Sequence, residues 1–458
     1  MTKLWGSRFD KPTDPLADQF SFSIGFDHKL AKYDVQVSLA HARMLGRCGI
    51  IGKKDSGTIV SGLKKILKRI EAGRFRIDPN AEDIHTHIQN ELKKLIGPEA
   101  DKLHTARSRN DLVVTDMKLY CQDELQDILQ MITQLQKAII RCAAKYKELI
   151  IPAYTHLQPA QVVLGAHYLL AYVESLERDK GRLQDSLKRM DSNPLGSCAL
   201  SGTTLPIDRH YVSQLLGFSV TQNNSIDAVS DRDFLLEVLA HLAILGIHAS
   251  RIAEDLILWS TNEFGFVEID WSLCTGSSIM PHKKNPDILE LIRGEAARLI
   301  GHLNTLLVLL KGLPLTYNRD LQLDKPPVFE SVEKVKMILP LLTQCFSTLR
   351  FNKAMLRFDS DDEFFFSVDI MEYLIQKGLS YRKAHDSVGR LFKEILDQGK
   401  SIHSLSLQEL KKYSPQLDED IKKLCNPKNS IQAKRSFGST HPKEVGRQLR
   451  FWKKKFHV

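Results

Sequence analysis

The stretch DMKLYCQDELQDILQMITQLQKAIIRC, residues 116–142, sets the architecture. Its apolar positions Met117, Cys121, Leu125, Ile128, Ile132, Leu135, Ile139 and Cys142 step by 4, 4, 3, 4, 3, 4 and 3 residues, close to a heptad repeat. Proline removes a backbone donor and clashes with the preceding helical turn, and none occurs between Pro98 and Pro152. The spacing therefore predicts a helix from Asp116 to about Leu149, on the order of 50 Å long at about 1.5 Å per residue. Such a rod needs neighbours along its whole length.

Working outward, the proline gaps 159–194, 206–281 and 286–314 each leave room for another long helix. In the second of these, Phe234, Val238, Leu242, Leu245, Ile252 and Leu256 follow Ser230 and Asp231, residue types suited to an N-cap. Ala240, Ile244 and Ile247 put apolar groups on further faces, as in a helix buried among other helices. Alternating apolar and polar runs are scarce, so the expectation is an all-α protein whose middle third is an extended bundle. The expected regions are an N-terminal helical domain (1–106), the central bundle (107–355) and a small C-terminal helical domain (356–458). Helices this long find partners on several sides, which favours an oligomer.

Composition bounds the rest. At 458 residues and 43% hydrophobic the chain can bury a large core, which excludes disorder as the main state. The net charge is +9, and the basic residues Arg447, Arg450, Lys453, Lys454 and Lys455 read as a solvated helix face or tail, with no nucleic-acid motif beside them. Seven scattered cysteines without a C-x-x-C pair argue for a reducing compartment. With no secretory pattern in the first residues and no run of 18 apolar residues, no membrane association is expected and the location expected is the cytoplasm.

Four polar stretches look chemical: Glu82–His87, His104–Asp111, Tyr154–Gln161 and Thr275–Asp287. His85 and His87 are two apart and do not share a helix face, so no metal is expected there. Arg107 and Arg109 beside Ser108 and Asn110 suit a carboxylate or phosphate, because guanidinium forks bind planar anions. His156 lies shortly before Pro159, which the pattern predicts opens a new helix, at an element end from which a side chain can point outward. The fourth stretch, GSSIMPHKKNP (276–286), reads as a mobile basic loop hinged at Gly276, and Pro281 excludes a Walker A loop. Together they point to an acidic small molecule.

These segments resemble the argininosuccinate lyase family, in the superfamily that also holds fumarase, aspartase and adenylosuccinate lyase. The loop Gly276–Pro286 is similar to the superfamily signature. Leu4–Phe9, His104–Asp111, Tyr317–Gln322, Ala228–Phe234 and Ser436–Gly438 resemble the narrower family. The resemblance implies a fumarase/aspartase-like fold, a homotetramer with each active site shared among three subunits, no cofactor, and cleavage of argininosuccinate to arginine and fumarate in arginine biosynthesis. It implies Ser277 as base and His156 as acid, with Glu290 orienting His156 and Thr155 contacting a substrate carboxylate. Lys283 is the candidate to meet the dianion formed when a proton leaves beside a carboxylate. By the same resemblance Ser23, Arg109, Asn110, Tyr317, Gln322 and Lys325 bind substrate, with Asp83, His85, Ser278 and Asn285 supporting them.

Several positions depart from the family pattern: Ala106 for glycine, Leu112 for glutamine, Leu323 for glutamate, His282 for glutamine and Val37 for glycine. Ala106 matters most if its position needs positive φ. The rival readings are a lyase for another N-substituted succinate, a fold that has lost activity, and a Ser277–His156–Glu290 hydrolase, which lacks a G-x-S-x-G elbow.

Overall fold

The structure, a computed structural model, describes residues 11, 13–356 and 363–458. The Leu4–Phe9 match lies outside the described residues. Helices dominate: α1 (Ala31–Arg47), α2 (Lys53–Glu71) and α3 (Ile84–Ile96) precede the long helix α4 (Arg109–Lys145). A hairpin of β1 (Ile150–Thr155) and β2 (Gln158–Leu164) leads into α5 (Gly165–Met190), followed by α6 (Asp233–Trp259), α7 (Asp287–Leu310) and α8 (Lys325–Thr348). Among the later, shorter helices are α9 (Tyr381–Gln398) and α10 (Pro442–Phe456).

The expected rod is α4, and its bounds differ from those read in the sequence. It begins seven residues earlier, because the Ser108 carbonyl accepts from Leu112 N and the first turn closes ahead of the apolar stripe. It ends at Lys145, where Tyr146–Leu149 turn the chain into β1. The stripe residues Met117, Cys121, Leu125, Ile128, Ile132, Leu135 and Ile139 are all buried. Helix α6 was also expected, yet only Asp231 caps it, accepting from Asp233 N at 2.9 Å. Ser230 instead ends a short preceding helix, Ser225–Ser230.

The chain divides into two compact units, each discontinuous in sequence. The first comprises residues to Gln130, Asp179–Gly246 and Glu295–Lys336. Within it α1 packs closely on α2: a Cβ at Gly46 would lie 2.5 Å from Ser56 Oγ, whose hydroxyl donates to the Ala42 carbonyl at 2.9 Å. The second comprises Met131–Arg178, Ile247–Gly294 and Met337–Val458. There Tyr168 and Tyr172 of α5 both donate to Asp255 of α6, and Lys455 of α10 pairs with Glu177 of α5 at 2.7 Å.

The hairpin is the main departure from an all-helical reading of this stretch. Pro159 does not open a helix: it sits in β2, opposite Tyr154, and the helix begins at Gly165. Helix α6 is long and apolar enough to cross a membrane by length and composition alone, but half of its apolar window is buried in the protein.

Candidate active site

In the first unit the N-terminus of α3 is the organising feature. Asp83 is its N-cap, accepting from Thr86 N at 2.7 Å, which satisfies an otherwise unpaired amide of the first turn. Arg109, at the start of α4, lies 3.3 Å from Asp83 Oδ2 through Nε and donates from Nη2 to Thr86 Oγ1 at 3.1 Å. Burial pushes the Asp83 carboxyl up, but Arg109, His85 and the Thr86 hydrogen bonds outweigh it and hold the group below its ordinary value. Arg109 Nη1 is buried with no hydrogen-bond partner among the described residues.

Ser23 is brought to the same place. Its hydroxyl donates to Asp27 Oδ2 at 2.5 Å, while Asp27 Oδ1 accepts from Ile84 N, the first residue of α3. Gln322 donates to the Ser21 carbonyl at 3.1 Å, tying the short 3₁₀ helix Arg319–Asp324 to this segment. Lys325 pairs with Asp324 at 2.9 Å, and Asp324 also receives Arg232 Nε at 2.5 Å in a buried ion-pair cluster. Tyr317 is half-buried, and burial raises its phenol above the ordinary value, so it stays a neutral donor. Asn110 donates to the Ala199 carbonyl at 2.9 Å.

His85 is buried and its Nδ1 lies 2.6 Å from Asp34 Oδ2 and 3.6 Å from Asp116 Oδ2. Sequence reading missed both carboxylates. The signal was there in principle, since each is an acid on the apolar face of a helix. Ligand atoms of Asp34, His85 and Asp116 all lie within 4.8 Å of one another, a spacing a metal could use. Arg107 and Arg109 press positive charge on Asp116, which works against a further cation. His87 turns away, donating to the Arg76 carbonyl at 3.0 Å and packing against Phe75.

In the second unit two elements carry the remaining expected residues. Thr155 and His156 stand at the tip of the β1–β2 hairpin, exposed to solvent. His156 and Leu157 both adopt left-handed backbone, φ 56° and 57°, as a two-residue type I′ turn requires. Non-glycine residues there cost about 1 kcal/mol each, strain of the kind held at functional sites.

The other element is the loop before α7, closed at its base by paired backbone bonds between Thr275 and Asn285, 3.0 and 2.8 Å. Ser277 is half-buried, and its Oγ accepts from Met280 N at 3.1 Å and from Ile279 N at 3.4 Å. Ser278 is exposed. The two lysines differ: Lys284 donates to the Ile269 carbonyl and lies 4.2 Å over the Trp271 ring, whereas Lys283 is exposed and makes no ion pair among the described residues. Neither crowding nor positive φ demands glycine at 276. Glu290, exposed on the first turn of α7, faces Arg293 at 4.0 Å. No hydrogen bond or ion pair joins it to His156 among the described residues.

One departure read in the sequence has a structural consequence: Ala106 has φ 55°, where glycine would be unstrained. Residues 7–301 match the family described as Lyase, and residues 364–432 match Argininosuccinate lyase C-terminal. The argininosuccinate lyase of Syntrophus aciditrophicus is 47% identical over 98% of this chain and 95% of its own length. That of Symbiobacterium thermophilum is 46% identical over 98% and 97%. The chain belongs to the argininosuccinate lyase family. Among solved structures similar to this family member, EDDS lyase in complex with formate aligns with a TM-score of 0.84 at 27% identity, covering 98% of this chain and 91% of that one. An EDDS lyase variant with bound fumarate aligns at 0.83 and 26%, over 98% and 91%. A class II fumarase from Schistosoma mansoni, at 0.75 and 16% over 90% and 93%, shares the fold. The expected fold, an all-α member of the fumarase/aspartase superfamily, therefore stands, with the hairpin as its local exception.

Proposed function

We propose that this chain is an argininosuccinate lyase, catalysing the reversible elimination of argininosuccinate to arginine and fumarate. The observation that carries the mechanism is the pair of backbone N–H groups aimed at Ser277 Oγ. A serine hydroxyl is a poor base unless its alkoxide is stabilised, and two oriented amides supply that stabilisation in a site from which water can be excluded. Ser277, its hydroxyl proton first lost to solvent, takes as alkoxide the proton from the carbon beside a carboxylate, and the electron pair spreads into that carboxylate as a dianion. Lys283, unlike the tethered Lys284, is free to meet the new charge. Collapse of the dianion forms the double bond of fumarate and breaks the carbon–nitrogen bond, while His156 delivers a proton to the departing nitrogen.

Ser23, Arg109, Asn110, Tyr317, Gln322 and Lys325 hold the substrate, with Arg109 on a carboxylate. Thr155 contacts a carboxylate, Glu290 orients His156, and Asp83, His85, Ser278 and Asn285 support them. No cofactor takes part in this scheme. The working unit is a homotetramer whose sites draw on three subunits, in the cytoplasm. The exposure of His156, the lack of a His156–Glu290 contact among the described residues and exposed apolar side chains on α7 support that assembly. On α7 Leu291, Ile300, Leu307 and Val308 are 46–64% exposed, with Ile300 and Leu307 on one face and Leu291 on the opposite one. The three regions 1–106, 107–355 and 356–458 are its organisational units.

The likeness to EDDS lyase keeps a second reading alive, a lyase for another N-substituted succinate. Purified protein with argininosuccinate should release fumarate, followed by ultraviolet absorbance, and arginine in equal amount by chromatography. Fumarate without arginine, from another succinyl amine, would favour the second reading.

A further inference from the structure

The turn that presents Arg109 and Asn110 is built from residues that do not favour its shape. Ala106 is left-handed, φ 55°, and so is Cys198, φ 55°, on the loop that follows Pro194. Two such residues together cost about 2 kcal/mol, so other contacts must hold the turn. Those contacts converge on one carboxylate. Asp111 accepts from Ser108 N at 3.0 Å on Oδ1, and from Gly196 N at 2.9 Å and Cys198 N at 2.8 Å on Oδ2. Two further bonds run between the same segments: the Cys198 thiol donates to the Ala106 carbonyl at 3.3 Å, and Asn110 Nδ2 donates to the Ala199 carbonyl at 2.9 Å.

We infer that Asp111 is a positioning residue, whose carboxylate clamps the 106–110 turn to the 196–199 loop and so sets where Arg109 and Asn110 meet the substrate. The inference rests on the substrate role proposed above for those two residues. Asp111 is fully buried, points its oxygens at three backbone donors and has no oxygen to offer a ligand. The far side of the clamp is itself anchored, because Arg209 donates to the Leu195 carbonyl at 3.0 Å and to Ser197 Oγ at 3.1 Å. The 196–199 loop thereby becomes part of the site without touching the reacting atoms.

The clamp needs an ionised carboxylate, since a protonated one turns one oxygen into a donor facing N–H groups. Burial raises Asp111 to about 6, against the pull of the three backbone bonds and of Arg107. Arg107, Arg209 and the Cys198 thiol are the titratable or charged groups that act on it. The turn should therefore loosen as pH falls through about 6, and tighten above it.

The test is Asp111→Asn in the full-length protein, which keeps the volume but sets an NH2 against backbone donors. Two measurements read it. Hydrogen exchange, corrected for the intrinsic rate, should accelerate at least tenfold in both the 105–112 and 194–199 segments while the remainder of the protein is unchanged. With argininosuccinate, KM should rise about tenfold with kcat within about threefold, and the wild-type rise in KM below pH 6 should be absent from the variant. If Asp111→Asn does not fold, the wild type decides: the two segments should exchange faster at pH 5 than at pH 7, together. Unchanged exchange in either segment, in the variant or across pH 6 in the wild type, overturns the clamp. Normal exchange with a tenfold KM change would also overturn it, since the effect would then reach the substrate by another route. A wild type that releases no arginine and fumarate overturns the proposed reaction instead, and the exchange data still judge the clamp.

Discussion

Asp116 is wholly buried on α4, and neither of its oxygens has a hydrogen-bond donor in the protein. Burial, and then the negative charge of Asp34, raise its carboxyl above the ordinary value. A carboxyl raised in the folded state binds more protons folded than unfolded, so its contribution to stability declines as pH rises above 3.8. Asp116→Asn should therefore melt at or above the wild-type temperature at pH 8, with a shallower fall between pH 5 and pH 8 by calorimetry. A loss above about 2 kcal/mol would mean that the ionised form is needed. At the reacting centre, Ser277→Ala should lower kcat by about a thousandfold or more with substrate still bound. If Ser278→Ala is dead and Ser277→Ala is near normal, the base moves by one residue. Lys283→Ala should act mainly on kcat, by about a hundredfold or more, because it meets charge that exists only after proton removal. Reading the sequence found the residues whose neighbours made a motif, such as Ser277, Lys283 and Arg109. It passed over Asp34 and Asp116: each shows only as an acid on the apolar face of a helix, and what ties the two together, their burial beside His85, is a fact of packing rather than of spacing.

Elements were legible where one period ran long enough. Seven steps of a heptad pattern defined α4, and its true start at Arg109 was obscured because the polar first turn, Arg109 to Asp111, belongs to the site and carries no stripe. The β1–β2 hairpin was hidden for a related reason. Pro159 usually opens a helix or closes a strand, and here it lies in β2 with its ring at a bulged part of the ladder, where no amide is needed. The hairpin yields its own prediction. Leu157 is exposed with φ 57°, so Leu157→Gly should relieve left-handed strain and raise stability by up to about 1 kcal/mol in thermal melts. If the variant melts lower, the side chain is being used, and a shared site would be the place to look for its partner.

At the scale of the whole molecule, the described residues divide the expected site between two units: Ser23, Asp83, His85, Arg109 and their neighbours in one, and Thr155, His156, Ser277 and Lys283 in the other. A single sequence could name these residues through family resemblance, yet no spacing in it says whether the two groups come from one copy of the chain or from several. The exposed apolar face of α7 that holds Ile300 and Leu307 supplies the test. Ile300→Glu with Leu307→Glu should lower the mass seen by sedimentation and remove activity together, because a smaller species would lack a complete site. Full activity in a monomer would refute the shared arrangement.

The hairpin that carries His156 is anchored at its far end, where Leu164 N donates to Thr440 Oγ1 at 2.7 Å. From that anchor to the tip β2 measures about 20 Å, at about 3.3 Å per residue. Over that length a tilt of about 3° would swing the imidazole by about 1 Å, a displacement able to cost about a hundredfold in rate, and the Tyr154 ring packed on Phe264 and Phe266 just before the tip opposes it. Mechanical stiffness at Thr440 and at Tyr154 thus sets how far the tip that carries His156 can stray.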